Sequence, residues 1–451
     1  MNTNTFSIAT ATIISVAASA ATEAQTFPRY TARLLGTSGA AAMNESGGVV
    51  GFSSDTGAQR AWVAGEGFGL LPLPAGMLSS AAFDVNEFGE IVGAVGPFDY
   101  SVEFSGQPAL WTPDGQGGYS VQILGSLPGQ TLGWARAINN IGDIVGTATV
   151  GGFRRPVLYD GVSVPEDLSA TGIFDPVGIN DNREVVDQSF TAKRLDLNTM
   201  TVQDLGKPDG SFSGTRAIAI NAFGQVAGTA VQSCCASCPY ITTRYTDGVG
   251  WETYLSCGPR NGANDINDLG DFVSWQNTYA GLYLEGIGLT ALEGLIDESG
   301  GHWYVYGATA INSKRQIAAF ASNAVTGEAG TVLLTPVGNH PWLAVSDLVR
   351  GQQATSTLTG AEANDDVVFL YTRSGIGQGP CPAVFGGLCL DLLNPVQLLG
   401  RTRADLGGSA RIEYTVPAGA PRVLIYQQAV VRRGAGGSNS VKSDAVTAAI
   451  E

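Results

Sequence analysis

One phrase recurs seven times along the chain, and it limits the possible folds more than anything else in the sequence. Its copies read AAMNESGGVVG, FDVNEFGEIVG, AINNIGDIVG, GINDNREVVD, AINAFGQVAG, DINDLGDFVS and AINSKRQIAA. Their asparagines are Asn44, Asn86, Asn139, Asn180, Asn221, Asn267 and Asn312, at intervals of 42, 53, 41, 41, 46 and 45 residues. Periods of this length belong to propeller blades and related arrays. In each copy alternating apolar residues lead into Asn-x-x-Gly, and a β-rich run such as DIVGTATV leads away, the pattern of an antiparallel hairpin. Asparagine opens such a turn by accepting nearby backbone N–H groups, and glycine supplies the positive φ of a tight loop. Asn182-Arg183 and Lys314-Arg315 replace the glycine region in the fourth and seventh copies, so those two turns are expected to be strained or of another type.

A third run with a bulky apolar residue follows each hairpin, carrying Trp62, Trp111, Tyr159, Tyr245 or Tyr283, and then a fourth run such as YSVQILGSL or TVQDLGK. No repeat contains the helical half of a parallel βαβ unit, so the chain reads as all-β. Four-stranded meanders repeated around an axis make a β-propeller, here with seven blades over residues 27–338. The last copy supplies only three strands, while an orphan strand, YTARLLGT, precedes the first. Pairing the two closes the ring and removes an exposed edge. Beyond Asn339, strand-like runs separated by turn-rich pieces predict a small antiparallel β-sandwich over 339–451, an accessory or attachment domain. Gly375, Gly377 and Gly379 form a GxGxG with no helix after it, which reads as a turn rather than a nucleotide loop.

The order of A-I-N-x-x-G-x-V-V-G, then an apolar-aromatic strand, then a leucine-glycine strand resembles the HAF-repeat extracellular proteins of bacteria over about residues 30–336. The His-Ala-Phe for which that family is named is absent; the matching places begin at Arg60, Pro108 and Arg155. The resemblance implies an exported propeller and brings no catalytic residues with it.

An apolar and small-residue run from Phe6 to Ala21, followed by small residues, reads as an export signal over 1–24, although no Lys or Arg precedes it. No later stretch has the ~18 apolar residues needed to span a bilayer. The expected location is therefore secreted, periplasmic or cell-surface. The net charge of −16 is carried by the repeats, because residues 340–451 hold nine Lys+Arg against nine Asp+Glu. Such an acidic surface repels phosphate backbones and anionic lipid, which argues against nucleic acid as a partner. Six cysteines in an exported chain read as disulfides: Cys381 with Cys389, and a group of Cys234, Cys235, Cys238 and Cys257 whose pairing stays open. Zinc at Cys235-x-x-Cys238 lacks a second ligand pair, and no metal or other cofactor is expected.

Strand connections alternate between the two faces of a propeller, which places the repeated turns on one face and the irregular loops on the other. The irregular loops carry Asp99, Tyr100, Glu103, Trp134, Phe212, Trp303 and Tyr304, where aromatic rings beside carboxylates suit a glycan or peptide ligand. Acidic residues four places after several repeat asparagines, such as Glu90, Asp143, Glu184 and Asp271, read as solvated hairpin charges, with too few oxygens for calcium. No Gly-x-Ser-x-Gly, His-Glu-x-x-His or Walker loop occurs, and there are two histidines. The sequence points to an exported non-catalytic binding or scaffold protein with no assigned catalytic residue. A carbohydrate-active hydrolase or lyase using paired carboxylates, and a structural envelope or matrix component, are the alternatives.

Overall fold

The computed structural model describes residues 28–450 except 37–38, 54–56, 66–67, 98–105, 162, 233–239, 259–261, 277–278, 286–287, 297–301, 338–340, 347, 363, 406–408 and 444. The proposed export signal lies outside the described residues. The fold is all-β; among the described residues the helical pieces are 3-10 turns of three or four residues. No helix among them is long and apolar enough to cross a membrane.

Six four-stranded antiparallel meanders follow one another over 40–70, 79–123, 130–167, 176–204, 212–258 and 262–291, and are called sheets 1 to 6 here. Sheet 7 takes three strands, Trp303–Ile311, Ile317–Asn323 and Ala329–Val337, and completes itself with Arg29–Gly36 from the other end of the repeat region. The register runs from Arg29 opposite Val337 to Leu34 opposite Val332. Without that strand, Ala329–Val337 would present unpaired N–H and C=O groups. Tyr30 anchors the join, fully buried in a cluster with Leu282, Leu292, Leu334 and Trp303. The first strand of each sheet lies against the first strands of its neighbours, and the first strand of sheet 1 lies against that of sheet 7.

The seven asparagines explain how neighbouring sheets are held. Each is buried and accepts, through its side-chain oxygen, the N–H four residues on, at 2.8–2.9 Å. Each then donates its amide N–H to the backbone carbonyl of the next asparagine: Asn44 to Asn86, Asn86 to Asn139, Asn139 to Asn180, Asn180 to Asn221, Asn221 to Asn267 and Asn267 to Asn312. Asn312 donates to Asn44 at 3.4 Å, so the series closes on itself. Asparagine is required because one planar group must accept within its own turn and donate to the next sheet.

The third residue after each asparagine has positive φ in every copy, including Arg183 at 64° and Arg315 at 57°. Both arginine turns keep the hydrogen bonds of the glycine turns, so the expectation of another turn type is corrected. The guanidinium groups reach the preceding sheet instead, Arg183 to Asp143 at 2.8 Å and Arg315 to Asp271 at 2.8 Å, which offsets the backbone strain. Their partners are not free solvated charges as expected. Asp143 also accepts from Asn139, Glu90 from Asn86 and Glu184 from Asn180, and Asp271 is fully buried.

A register shift interrupts the first strand of every sheet just before the turn. Beyond the turn, the glycine ending the phrase lies under the first strand's backbone. A Cβ on Gly93 would sit 1.9 Å from the Ala81 carbonyl oxygen, and one on Gly146 would sit 2.1 Å from that of Trp134. The third-strand aromatics Trp62, Trp111, Tyr159, Tyr245 and Tyr283 are buried in the apolar clusters between sheets.

Residues 342–449 form two further antiparallel sheets, one of three strands (Trp342–Val345, Gln353–Thr359, Ala410–Thr415) and one built on Asp366–Thr372 and Leu424–Arg432. Leu343 and Leu358 of the first share one cluster with Phe369 and Val431 of the second. The disulfide Cys381–Cys389 is present as expected. The Gly375–Gly379 stretch is a turn region held against it, with Gly377 and Gly379 donating to the carbonyls of Asp391 and Leu390. This unit meets the turn face of the repeats, where Tyr426 stacks on Phe223 at 6.4 Å between ring centroids.

Candidate functional site

The turn face carries a second series of hydrogen bonds, made by the residue after each asparagine. Glu87 accepts the N–H of Glu45, Asn140 that of Glu87, Asp181 that of Asn140, Asp268 that of Ala222, and Glu45 that of Ser313. Burial, reinforced by Asp268, pushes Glu45 up to about 8. Two more carboxylates hold first strands together: Asp84 accepts the N–H of Ile138 in the next sheet, and Asp265 that of Ile311. Burial raises them to about 6 and about 7. These acids are spent on backbone donors of neighbouring sheets. The repeated turns are therefore scaffold, and no group of three or more metal-ligating side chains is found among the described residues.

The inner strands differ from one another farther from the turns. Where the first and second strands pair, the opposed residues are Ala81 with Ala94, Trp134 with Thr147, Arg216 with Thr229, Gly262 with Trp275 and Gly307 with Phe320. Except in sheet 2, one member of each pair is large and the other small, so large side chains alternate between two strands without colliding. Beside Trp134, among sheets 2 to 4, there is a pocket of about 160 Å³ lined by Phe83, Trp134, Arg136, Arg154, Asp175, Val177 and Gln188. Arg136 lies over the Phe83 ring at 5.2 Å and Arg154 over the Trp134 ring at 5.1 Å. Phe52 meets Phe83 edge-on at 6.0 Å and supports this wall. Asp175 is held through its backbone, its N–H donating to Asp187 at 2.6 Å and its carbonyl accepting from Gln188 at 2.9 Å. Thr147 donates to the Asp175 carboxylate at 3.4 Å. Exposed rings stand next in sequence, Phe153 beside Arg154 and Phe174 beside Asp175, with Phe190 two residues beyond Gln188.

Of the residues expected at a ligand rim, Trp134 lies in this pocket and Tyr304 is 44% exposed on sheet 7. Phe212 and Trp303 do not serve that role. Phe212 packs in a cluster with Ala230 and Ile241, and Trp303 is 7% exposed within the cluster around Tyr30. Each begins its strand and turns its ring into buried apolar packing, Phe212 within its own sheet and Trp303 between neighbouring sheets, where an aromatic side chain gains most from burial. Asp99, Tyr100, Glu103, Cys234, Cys235 and Cys238 lie outside the described residues, as does the side chain of Cys257. Sequence reasoning passed over Phe83, Arg136, Arg154, Asp175 and Gln188 because they lie in strands or at strand ends rather than in long loops. A signal was present: the residue three places before each repeat asparagine runs Ala41, Phe83, Arg136, Val177, Ile218, Asn264, Thr309, the variation expected where a scaffold stops repeating itself.

No family model matches the chain, and no curated protein matches it. Among solved structures the chain is similar to a fungal alcohol oxidase in complex with copper, at 12% identity, covering 94% of this chain and 99% of that one, with a TM-score of 0.45. It is also similar to YCF48 from Cyanidioschyzon merolae, at 13% identity over 68% of this chain and 98% of that one, TM-score 0.40. A third is PorZ, a surface component of the type-IX secretion system of Porphyromonas gingivalis, at 10% identity over 87% of this chain and 63% of that one, TM-score 0.34. None of these likenesses bears on activity.

Proposed function

We propose that this chain is an exported, non-catalytic binding or surface-scaffold protein. In this reading the repeats are a seven-bladed β-propeller of the HAF-repeat kind, latched by the N-terminal strand, and the C-terminal unit is a β-sandwich that serves for attachment. The ligand is a glycan or a peptide, held in the pocket of sheets 2 to 4.

The observation that carries the reading is the pocket itself, where two aromatic rings and two arginines on paired strands converge with a carboxylate and an amide at the ends of strands. Rigid inner strands present these groups without an ordering cost on binding. Its volume of about 160 Å³ lies below the ~300 Å³ at which drug-sized ligand sites begin, so it accepts one residue of a longer chain rather than a whole cofactor. Asp175 is the one carboxylate lining it among the described residues, whereas glycoside hydrolysis requires two at roughly 5–9.5 Å. The test is a glycan array and an extracellular-protein pull-down with the purified protein, followed by product analysis. Retained ligand that is recovered uncleaved supports the reading; cleavage abolished by substituting a single Asp or Glu replaces it with the hydrolase or lyase alternative.

A further inference from the structure

We infer that the pocket of sheets 2 to 4 recognises a carboxylate-bearing sugar, a uronate residue within an acidic polysaccharide. This deepens the binding reading above and rests on it. In a chain of net charge −16, Arg136 and Arg154 face one small pocket, and neither lies within ion-pair distance of a carboxylate among the described residues. Each guanidinium is instead laid on an aromatic face, Arg136 on Phe83 and Arg154 on Trp134. A guanidinium held over a ring by cation–π attraction keeps N–H donors that can receive a planar carboxylate bidentately. Because the arginines cover these ring faces, the pocket offers a neutral sugar little bare aromatic surface there.

The opposite lining decides what else the ligand carries. Asp175 can only accept hydrogen bonds, and Gln188 can both accept and donate. A ligand residue filling the pocket must therefore bring donors beside its carboxylate, and the ring hydroxyls of a uronate do so. The side chain of a glutamate or aspartate in an acidic peptide has no such donor. The exposed rings of Phe153, Phe174 and Phe190 next to the lining residues are apolar platforms for the flanking sugars of the chain.

The experiment measures binding of the full-length protein, in EDTA, to a hexuronic-acid homopolymer, to the same polymer methyl-esterified, and to poly-glutamate. The expected result is binding to the free-acid polymer, at least tenfold weaker binding to the esterified form and to poly-glutamate, and further weakening at raised salt. Arg136→Gln and Arg154→Gln each lower affinity for the free acid about tenfold, with unfolding midpoints unchanged because both side chains are exposed. Arg411→Gln, an exposed residue of the C-terminal unit paired with exposed Glu413, is the charge control and leaves affinity unaltered. Equal binding of the acid and ester forms, preference for poly-glutamate, or indifference to both arginine substitutions overturns the inference. The binding reading then survives if a neutral glycan or a protein partner is retained and falls with the inference if nothing is retained.

Discussion

Replacing Asn221 tests whether the turn asparagines hold neighbouring sheets together or merely shape their own hairpins. Asn221 is 3% exposed, and its side-chain oxygen accepts from the N–H groups of Phe223 at 3.1 Å and Gln225 at 2.9 Å. Its amide donates to Gln225 at 2.8 Å and to the Asn267 carbonyl of the next sheet at 2.9 Å. Asn221→Ala strands backbone donors in a buried place, at about 1–3 kcal/mol for each group left unsatisfied, so a loss of about 3–4 kcal/mol is expected. Asn221→Asp keeps both acceptor bonds but turns an oxygen toward the Asn267 carbonyl. An ionised carboxylate there is repelled, whereas a protonated one donates the missing bond. The folded state therefore raises the pKa of the introduced Asp above its unfolded value of about 3.9. A raised folded value gives stability that is fully present below the unfolded pKa and is lost as pH rises through the folded pKa. In urea unfolding followed by tryptophan fluorescence, the aspartate variant should lie close to the native protein at pH 4 and fall progressively behind it toward pH 8. The alanine variant should show a deficit that does not grow with pH in this way. If both variants lose less than about 1 kcal/mol, or the aspartate deficit is flat with pH, the hydrogen bonds between sheets are not what holds neighbouring turns together.

Removing Arg315 with Arg315→Gly relieves the backbone but leaves Asp271, which is fully buried, without its guanidinium; a loss of about 3 kcal/mol is expected in the same assay. Arg183→Gly, whose pair with Asp143 is more open to water, should change stability by less than about 1 kcal/mol. Glu45→Gln tests the acid series on the turn face. With Glu45 at about 8 when folded and an ordinary carboxylate value of about 4.3 when unfolded, its contribution is present below about 4 and lost as pH rises toward 8, so the variant should flatten the fall in melting temperature between pH 5 and 8. Tyr30→Ala empties the buried anchor of the strand that completes sheet 7 and should cost about 3–5 kcal/mol; a smaller loss in calorimetry would mean that the strand does not latch the repeats.

The seven-fold phrase, its spacing and the missing strand of the last copy were enough to read off all-β meanders, the pairing of Arg29–Gly36 with Ala329–Val337, and the Cys381–Cys389 link. These rest on periodicity and strand count, which a single chain displays in order. What the structure alone decided depends on which sheets become neighbours. The acids four places after the asparagines looked like solvent-facing charges until the asparagine amides of their own turns and, for Asp143 and Asp271, an arginine of the next sheet's turn supplied donors, and Phe212 and Trp303 looked available until neighbouring strands covered them. Phe83, Trp134, Arg154 and Asp175 are spread over more than ninety residues of sequence and meet because three sheets are set side by side. Strand order follows from local sequence because hairpins form between consecutive segments; the pocket does not, because its walls exist only once separate sheets have packed together.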